Sequence, residues 1–207
     1  MKYHVIALVC SSLLFLSGCA QKELAQNAPA LPQTKDDAPK RAEILQNALK
    51  HHGKKDGGDC SGFVTLVNKE SFAPYFTTEE LNEYFEDARR SLAIYNLLET
   101  QNRLYHEKPK VGDLIFFANT VKKYARAKKS IDNITHIGII TKIDTDETVH
   151  FIHHTKGKNS ISQMNLNYPT LAFFEEKIIN SYMGKCPKNE GYLCLAPSYF
   201  SAYGSIK

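Results

Sequence analysis

The apolar periodicity of the chain changes from helical to strand spacing near its middle, and that change limits what it can fold into. Up to about residue 104 the apolar side chains recur at helical spacing; from about 111 they recur at strand spacing. In residues 41–52 (RAEILQNALKHH), Ile44, Leu45 and Leu49 share one helical face, and Gly53 follows as a stop. Beyond Ser61, the positions Phe63, Val64, Leu66 and Val67 give a second buried face, with Asp59 or Cys60 at its start. Thr77-Thr78-Glu79-Glu80 matches a capping box and predicts a helix from about Thr78 into Arg89-Arg90. Leu92 to Leu104 continues as helix, with Leu92, Tyr95, Leu98 and Leu104 inward, until Pro109. Val111–Phe117 is then a turn running into an apolar strand. His136–Thr141 and Thr148–Thr155 are strands joined by a hairpin turn at 142–147, and short strands follow from 160. Leu171–Ile179 returns to helical spacing. Helices first and antiparallel strands after them make the fold class α+β.

The ends bound where such a chain works. Met1 to His4 carries a Lys, and Val5–Leu16 is an apolar run shorter than the roughly 20 residues a membrane span needs. It closes in Leu16-Ser17-Gly18-Cys19, which resembles the lipobox of bacterial lipoproteins. That resemblance implies a signal peptide over 1–18, lipid on Cys19, and a stable membrane anchor. Residues 19–40 hold prolines and polar residues without aromatics, as a solvated tether does. Residues 41–207 suit one domain with one core, which eleven Tyr and eleven Phe supply in the absence of Trp. The net charge of +4 includes residues that processing would remove, and much of the excess sits in Lys122–Lys129. This run reads as a solvated loop, with contact to an anionic envelope polymer or lipid surface as the alternative. Export excludes nucleic acid as a partner.

The cysteines separate by position. Cys10 leaves with the signal peptide, and Cys19 takes lipid. Cys186 and Cys194 flank a short Pro/Asn/Gly loop, where a disulfide would close a hairpin. Cys60 is left over, within Asp59-Cys60-Ser61-Gly62-Phe63-Val64. A thiol at a helix start is favoured as thiolate by the unpaired backbone N–H groups and the helix dipole. The small Ser61 and Gly62 leave room for a substrate and let the Cys60 N–H face a developing oxyanion. His136, at the mouth of a strand, is the candidate base. Its other nitrogen needs an orienting partner. Strand alternation puts Phe151 and His153 on one face, so His153 is that partner, with His154 and His150 competing. Asp59 and Ser61 are candidate substrate contacts, Asp59 also being the natural cap. Cys60, His136 and His153 also compose a zinc-type set, but no second Cys or acidic ligand stands at metal spacing. No metal or cofactor is expected.

Four blocks now stand in order: DCSGFV (59–64), VGDLIFF (111–117), HIGII (136–140) and FIH (151–153). In this the chain resembles the NlpC/P60 cysteine peptidases over roughly residues 42–160. The resemblance implies a papain-like core and hydrolysis of peptidoglycan stem peptides, usually between D-glutamate and diaminopimelate or lysine. By motif position Cys60 matches the nucleophile, His136 the base and His153 the third polar residue. Gly112-Asp113 matches a structural turn. Two departures stand out. Many members carry an aromatic residue and a Gly-Gly pair a few residues before the Cys block, where this chain has residues 51–58 (HHGKKDGG). The spacing from Cys60 to His136 also exceeds a minimal member's, which points to a helical insert at about 75–105 and to the basic loop 118–134. Residues from about 160 to 207 form a C-terminal extension.

The expectation is therefore a monomeric lipid-anchored cysteine endopeptidase on peptidoglycan stem peptides, facing the periplasm from the outer membrane if the cell is Gram-negative. Its alternatives are a papain-like amidase or acyltransferase on another peptide or lipid, and a non-catalytic lipoprotein that binds the cell wall.

Overall fold

A computed structural model describes residues 37–85, 89–121, 130, 132–183 and 191–207. Residues 36–207 form a compact unit. The expected signal peptide, Cys19, the expected tether to residue 36, the basic run Lys122–Lys129 and Cys186 lie outside the described residues. Among the described residues no helix is long and apolar enough to cross a membrane.

Among the described residues four α-helices come first. Helix α1 (Ala38–Lys50) has proline in its first turn and buries Ile44 and Ala48. Leu49, expected inward, is 42 % exposed, because the i, i+4 pair Ile44 and Ala48 sets the buried face. Helix α2 (Cys60–Glu70) buries Phe63, Val64 and Val67. The capping box forms: the Glu80 N–H donates to Thr77 Oγ1 and the Thr77 N–H donates to Glu80 Oε2. Yet helix α3 (Thr78–Asn82) stops far short of Arg89, because it buries Leu81 alone and has no apolar stripe to extend. Helix α4 (Arg90–Thr100) starts anew and buries Ala93, Ile94, Tyr95, Leu97 and Leu98. It ends well before Pro109. Asn102 takes a left-handed conformation (φ 54), and the Arg103 N–H donates back to the Leu98 carbonyl at 2.9 Å. Leu104 is therefore strand rather than helix.

The strands β1 (Leu104–Tyr105), β2 (Leu114–Ala118), β3 (Ile134–Ile143), β4 (Val149–Thr155), β5 (Lys158–Met164) and a late β8 (Phe200–Gly204) form one antiparallel sheet. Their order is β1-β8-β2-β3-β4-β5. One face, with Leu114, Phe116, Ile137, Ile139 and Ile152, packs into a common core with Ile44, Phe63, Val64, Val67, Ile94 and Leu98 of the helices. The other face, with Ile115, Phe117, Ile140, Phe151 and Tyr203, is covered by Ala196, Met183 and Tyr199. The expected helix over Leu171–Ile179 is absent. Two short strands, β6 (Phe173–Phe174) and β7 (Lys177–Ile178), pair across a turn in which Glu175 and Glu176 have φ of 46 and 62. Ile179 is the only buried residue of that segment, so a helix there would have no face to bury. The C-terminal stretch supplies β8, which lies between β1 and β2 in the interior of the sheet.

Candidate active site

Three sequence-adjacent devices place Cys60. Asp59 is the N-cap of α2: its Oδ1 accepts from the Gly62 N–H at 2.7 Å and from the Ser61 hydroxyl at 2.8 Å. Gly62 itself is required by space, since a Cβ there would lie 2.0 Å from the Gly57 carbonyl oxygen. Gly57 has φ +86, and a Cβ on it would strike the Phe63 backbone at 2.4 Å. Gly57 and Gly62 are thus the condition for folding the 53–58 loop onto the first turn of α2, whereas a Cβ on Gly58 would meet nothing within 4 Å.

The same loop is fastened from behind. His51 is 5 % exposed; its Nδ1 bonds Asp56 Oδ2 at 2.6 Å and its Nε2 bonds Glu70 Oε2 at 2.9 Å. Asn159 of β5 donates to the His51 and Asp56 carbonyls, and its Oδ1 bonds His154 Nδ1 at 2.9 Å. His154 is therefore part of this brace and not the partner of His136.

His136 and His153 come together. His136 Nε2 and His153 Nδ1 are 2.5 Å apart, with ring planes at 86°. His153 is 2 % exposed, and its Nε2 continues to the Ser162 hydroxyl at 2.9 Å. Gly138 makes room: a Cβ there would meet Phe151 Cδ2 at 3.1 Å and His153 Cβ at 3.3 Å. The structure brings His153, and not His154 or His150, to His136. His150 bonds Asp144 instead, at 2.9 Å.

The thiol lies beside the strand, where the Ile137 N–H favours its thiolate form. Ile137 directly follows His136. Between the Cys60 and His136 side chains there is no hydrogen bond among the described residues, and Nδ1 of His136 is the nitrogen left open. Such contacts are often long in the absence of substrate.

The resting electrostatics reverse one expectation. Burial pushes the Cys60 thiol up to about 11, and the Asp59 carboxylate adds to this; the Ile137 N–H acts the other way. Helix position does not produce a resting thiolate here, because desolvation outweighs it. Burial also pulls His136 down to about 4, against the opposing charge of Asp59. It pulls His153 well below the usual range, helped by His136 and His154. For Asp59, burial raises the carboxyl, but the Gly62 N–H, the Ser61 hydroxyl and the Arg90 charge outweigh it and hold it low. The resting pair is thus neutral thiol and neutral imidazole, suited to general-base transfer during attack.

Cys60 opens into a cavity of about 330 Å³ that it lines with Asp59, Thr135, Phe85, Arg89 and Arg90. Arg90 lies over the Phe85 ring at 5.8 Å. Ser61 also lines this cavity but is 7 % exposed, with its hydroxyl turned to Asp59.

No protein-family model, curated protein or solved structure matches this chain.

Several site residues had no visible signal in the sequence. Arg89 and Arg90 read only as the end of a helix, whereas they start a separate one beside Cys60. Ser162 becomes legible only once β5 is in register, where it stands opposite Phe151. Cys194 is buried; its expected partner Cys186 lies outside the described residues. Among the described residues no cluster of three or more His, Cys, Asp or Glu side chains suits a metal ion.

Proposed function

We propose that this protein is a lipid-anchored cysteine endopeptidase that hydrolyses amide bonds in peptidoglycan stem peptides, of the D-glutamate–diaminopimelate type. The observation that carries the reading is a cysteine at a helix N-terminus, opening into a cavity, beside a strand whose histidine is hydrogen-bonded to a second, buried histidine. In the reaction, His136 Nδ1 takes the thiol proton as Cys60 Sγ attacks the carbonyl carbon. The backbone N–H groups at the start of α2 face the oxyanion, and the His136 imidazolium returns the proton to the departing amine. Water then hydrolyses the thioester. The cavity's arginines support a substrate that carries a carboxylate near the scissile bond, as a stem peptide does. The papain-like reading of the core, the outer-membrane location with the periplasmic orientation, and the monomeric state belong to the same proposal.

A second reading keeps the thiol chemistry and changes the substrate to another peptide or lipid amide. One observation favours it: His51, in the stretch where many members of the resembled family carry an aromatic residue, is buried and held by two carboxylates.

The test is a digest of purified peptidoglycan with this protein and with Cys60→Ala, read by mass spectrometry. New fragments ending in D-glutamate, absent with the variant, are the expected result. Intact wall together with cleavage of other amide substrates would move the assignment to the second reading. No hydrolysis of either would sink both.

A further inference from the structure

The histidine pair has a third member, and its consequence lies in which ring nitrogens carry protons. His136 Nε2, His153 Nδ1, His153 Nε2 and Ser162 Oγ form one unbranched chain, with links of 2.5 Å and 2.9 Å. Each neutral imidazole has one N–H, so the chain has two self-consistent polarities. In one, His136 Nε2–H donates to His153 Nδ1 and His153 Nε2–H donates to the Ser162 oxygen; the open Nδ1 of His136 is then a bare lone pair. In the other, the Ser162 O–H donates to His153 Nε2 and His153 Nδ1–H donates to His136 Nε2; the open Nδ1 then carries a proton and cannot accept one from a thiol.

We infer that Ser162 is the positioning residue that sets the polarity of this chain: by accepting from His153 Nε2–H it keeps His136 Nδ1 free to take the Cys60 proton. The inference rests on the hydrolase reading for its purpose, but not for its structural content. One observation favours the accepting role. Ser162 is partly exposed, so solvent can take its own hydroxyl proton, whereas His153 is 2 % exposed and among the described residues has hydrogen-bond partners for its ring nitrogens only in His136 and Ser162. Burial also keeps both rings neutral, so the tautomer is a real variable and is not erased by double protonation. The accepting polarity also suits the later step, because an imidazolium at His136 still donates Nε2–H to the same His153 Nδ1.

The experiment uses the full chain labelled with ¹⁵N-histidine, as wild type, Ser162→Ala and Ser162→Thr. Long-range ¹H–¹⁵N correlation at pH 7.5 separates protonated from bare ring nitrogens. Wild type and Ser162→Thr should show His153 protonated at Nε2 and His136 protonated at Nε2. Ser162→Ala should lose this preference, with His153 shifting toward Nδ1–H. In the peptidoglycan digest, kcat should fall about tenfold in Ser162→Ala with KM unchanged, the factor that one hydrogen bond of tautomer preference sets. Ser162→Thr should restore it. A wild-type His153 protonated at Nδ1, or a Ser162→Ala spectrum with unchanged tautomers, overturns the inference. Absence of hydrolysis in every variant, with the tautomers behaving as expected, overturns the hydrolase reading and leaves the role of Ser162 standing.

Discussion

At Cys60, burial and the neighbouring Asp59 charge oppose the helix start and the Ile137 N–H, and the thiol is left protonated at neutral pH. Alkylation by iodoacetamide should therefore be slow at pH 7 and accelerate about tenfold per pH unit toward a midpoint near 11, since the thiolate fraction rises by that factor. A rate already at its plateau by pH 8 would contradict this. His136 gives a second residue-scale test. Its folded value of about 4 lies below the ordinary histidine value of 6.5, so between these the unfolded chain binds more protons than the folded one. Its contribution to stability is full above about 6.5 and is lost as pH falls through about 4. Urea midpoints measured from pH 4 to pH 8 should rise across that window, and His136→Gln should flatten the rise; His153 acts in the same direction.

The start of helix α2 depends on the contact between Gly57 and Gly62. Gly62→Ala forces a methyl group into the space of the Gly57 carbonyl, which lies 2.0 Å from where the Cβ would stand, so the loop or the helix must move. A loss of roughly 1–3 kcal/mol in urea unfolding is expected, of the size that overpacking costs. Because the shifted element begins at Cys60, the proposed wall hydrolysis should fall by more than the stability loss explains. A variant with wild-type stability and activity would show that the close contact is dispensable. The capping box at Thr77 carries a different lesson. Its residues were legible because both of its hydrogen bonds are local, but the length of α3 was not, since length depends on how much apolar surface the rest of the fold offers.

Across the whole molecule, Asp113 ties the N-terminal helix to the sheet. Its carboxylate bonds Arg41 of α1 at 2.8 Å, the Tyr105 hydroxyl and the Lys110 N–H at 2.8 Å, and it is fully buried. The Tyr75 hydroxyl donates to the neighbouring Gly112 carbonyl at 2.6 Å. Asp113→Ala leaves the Arg41 charge without its partner, at a cost of about 3 kcal/mol or more. A fall in the urea midpoint of that size checks it. Arg41→Met with Asp113→Leu should recover much of the loss, because the penalty belongs to the unpaired charge.

What the sequence determined by itself was local or short in range. The α+β class followed from the change of period near residue 110, and the cap at Asp59 from a short polar residue before an apolar helical face. His153 followed from the two-residue alternation that puts it on the Phe151 side of β4. What only the tertiary structure decided depends on partners far apart in the chain. Sheet order places β8 beside β2, and register brings Ser162 behind His153. The second start of helix at Arg90 puts two arginines beside Cys60. The protonation of the thiol belongs to this second group as well. A helix N-terminus is visible in the sequence, but the desolvation that overrules it comes from the strand and helix packed around Cys60.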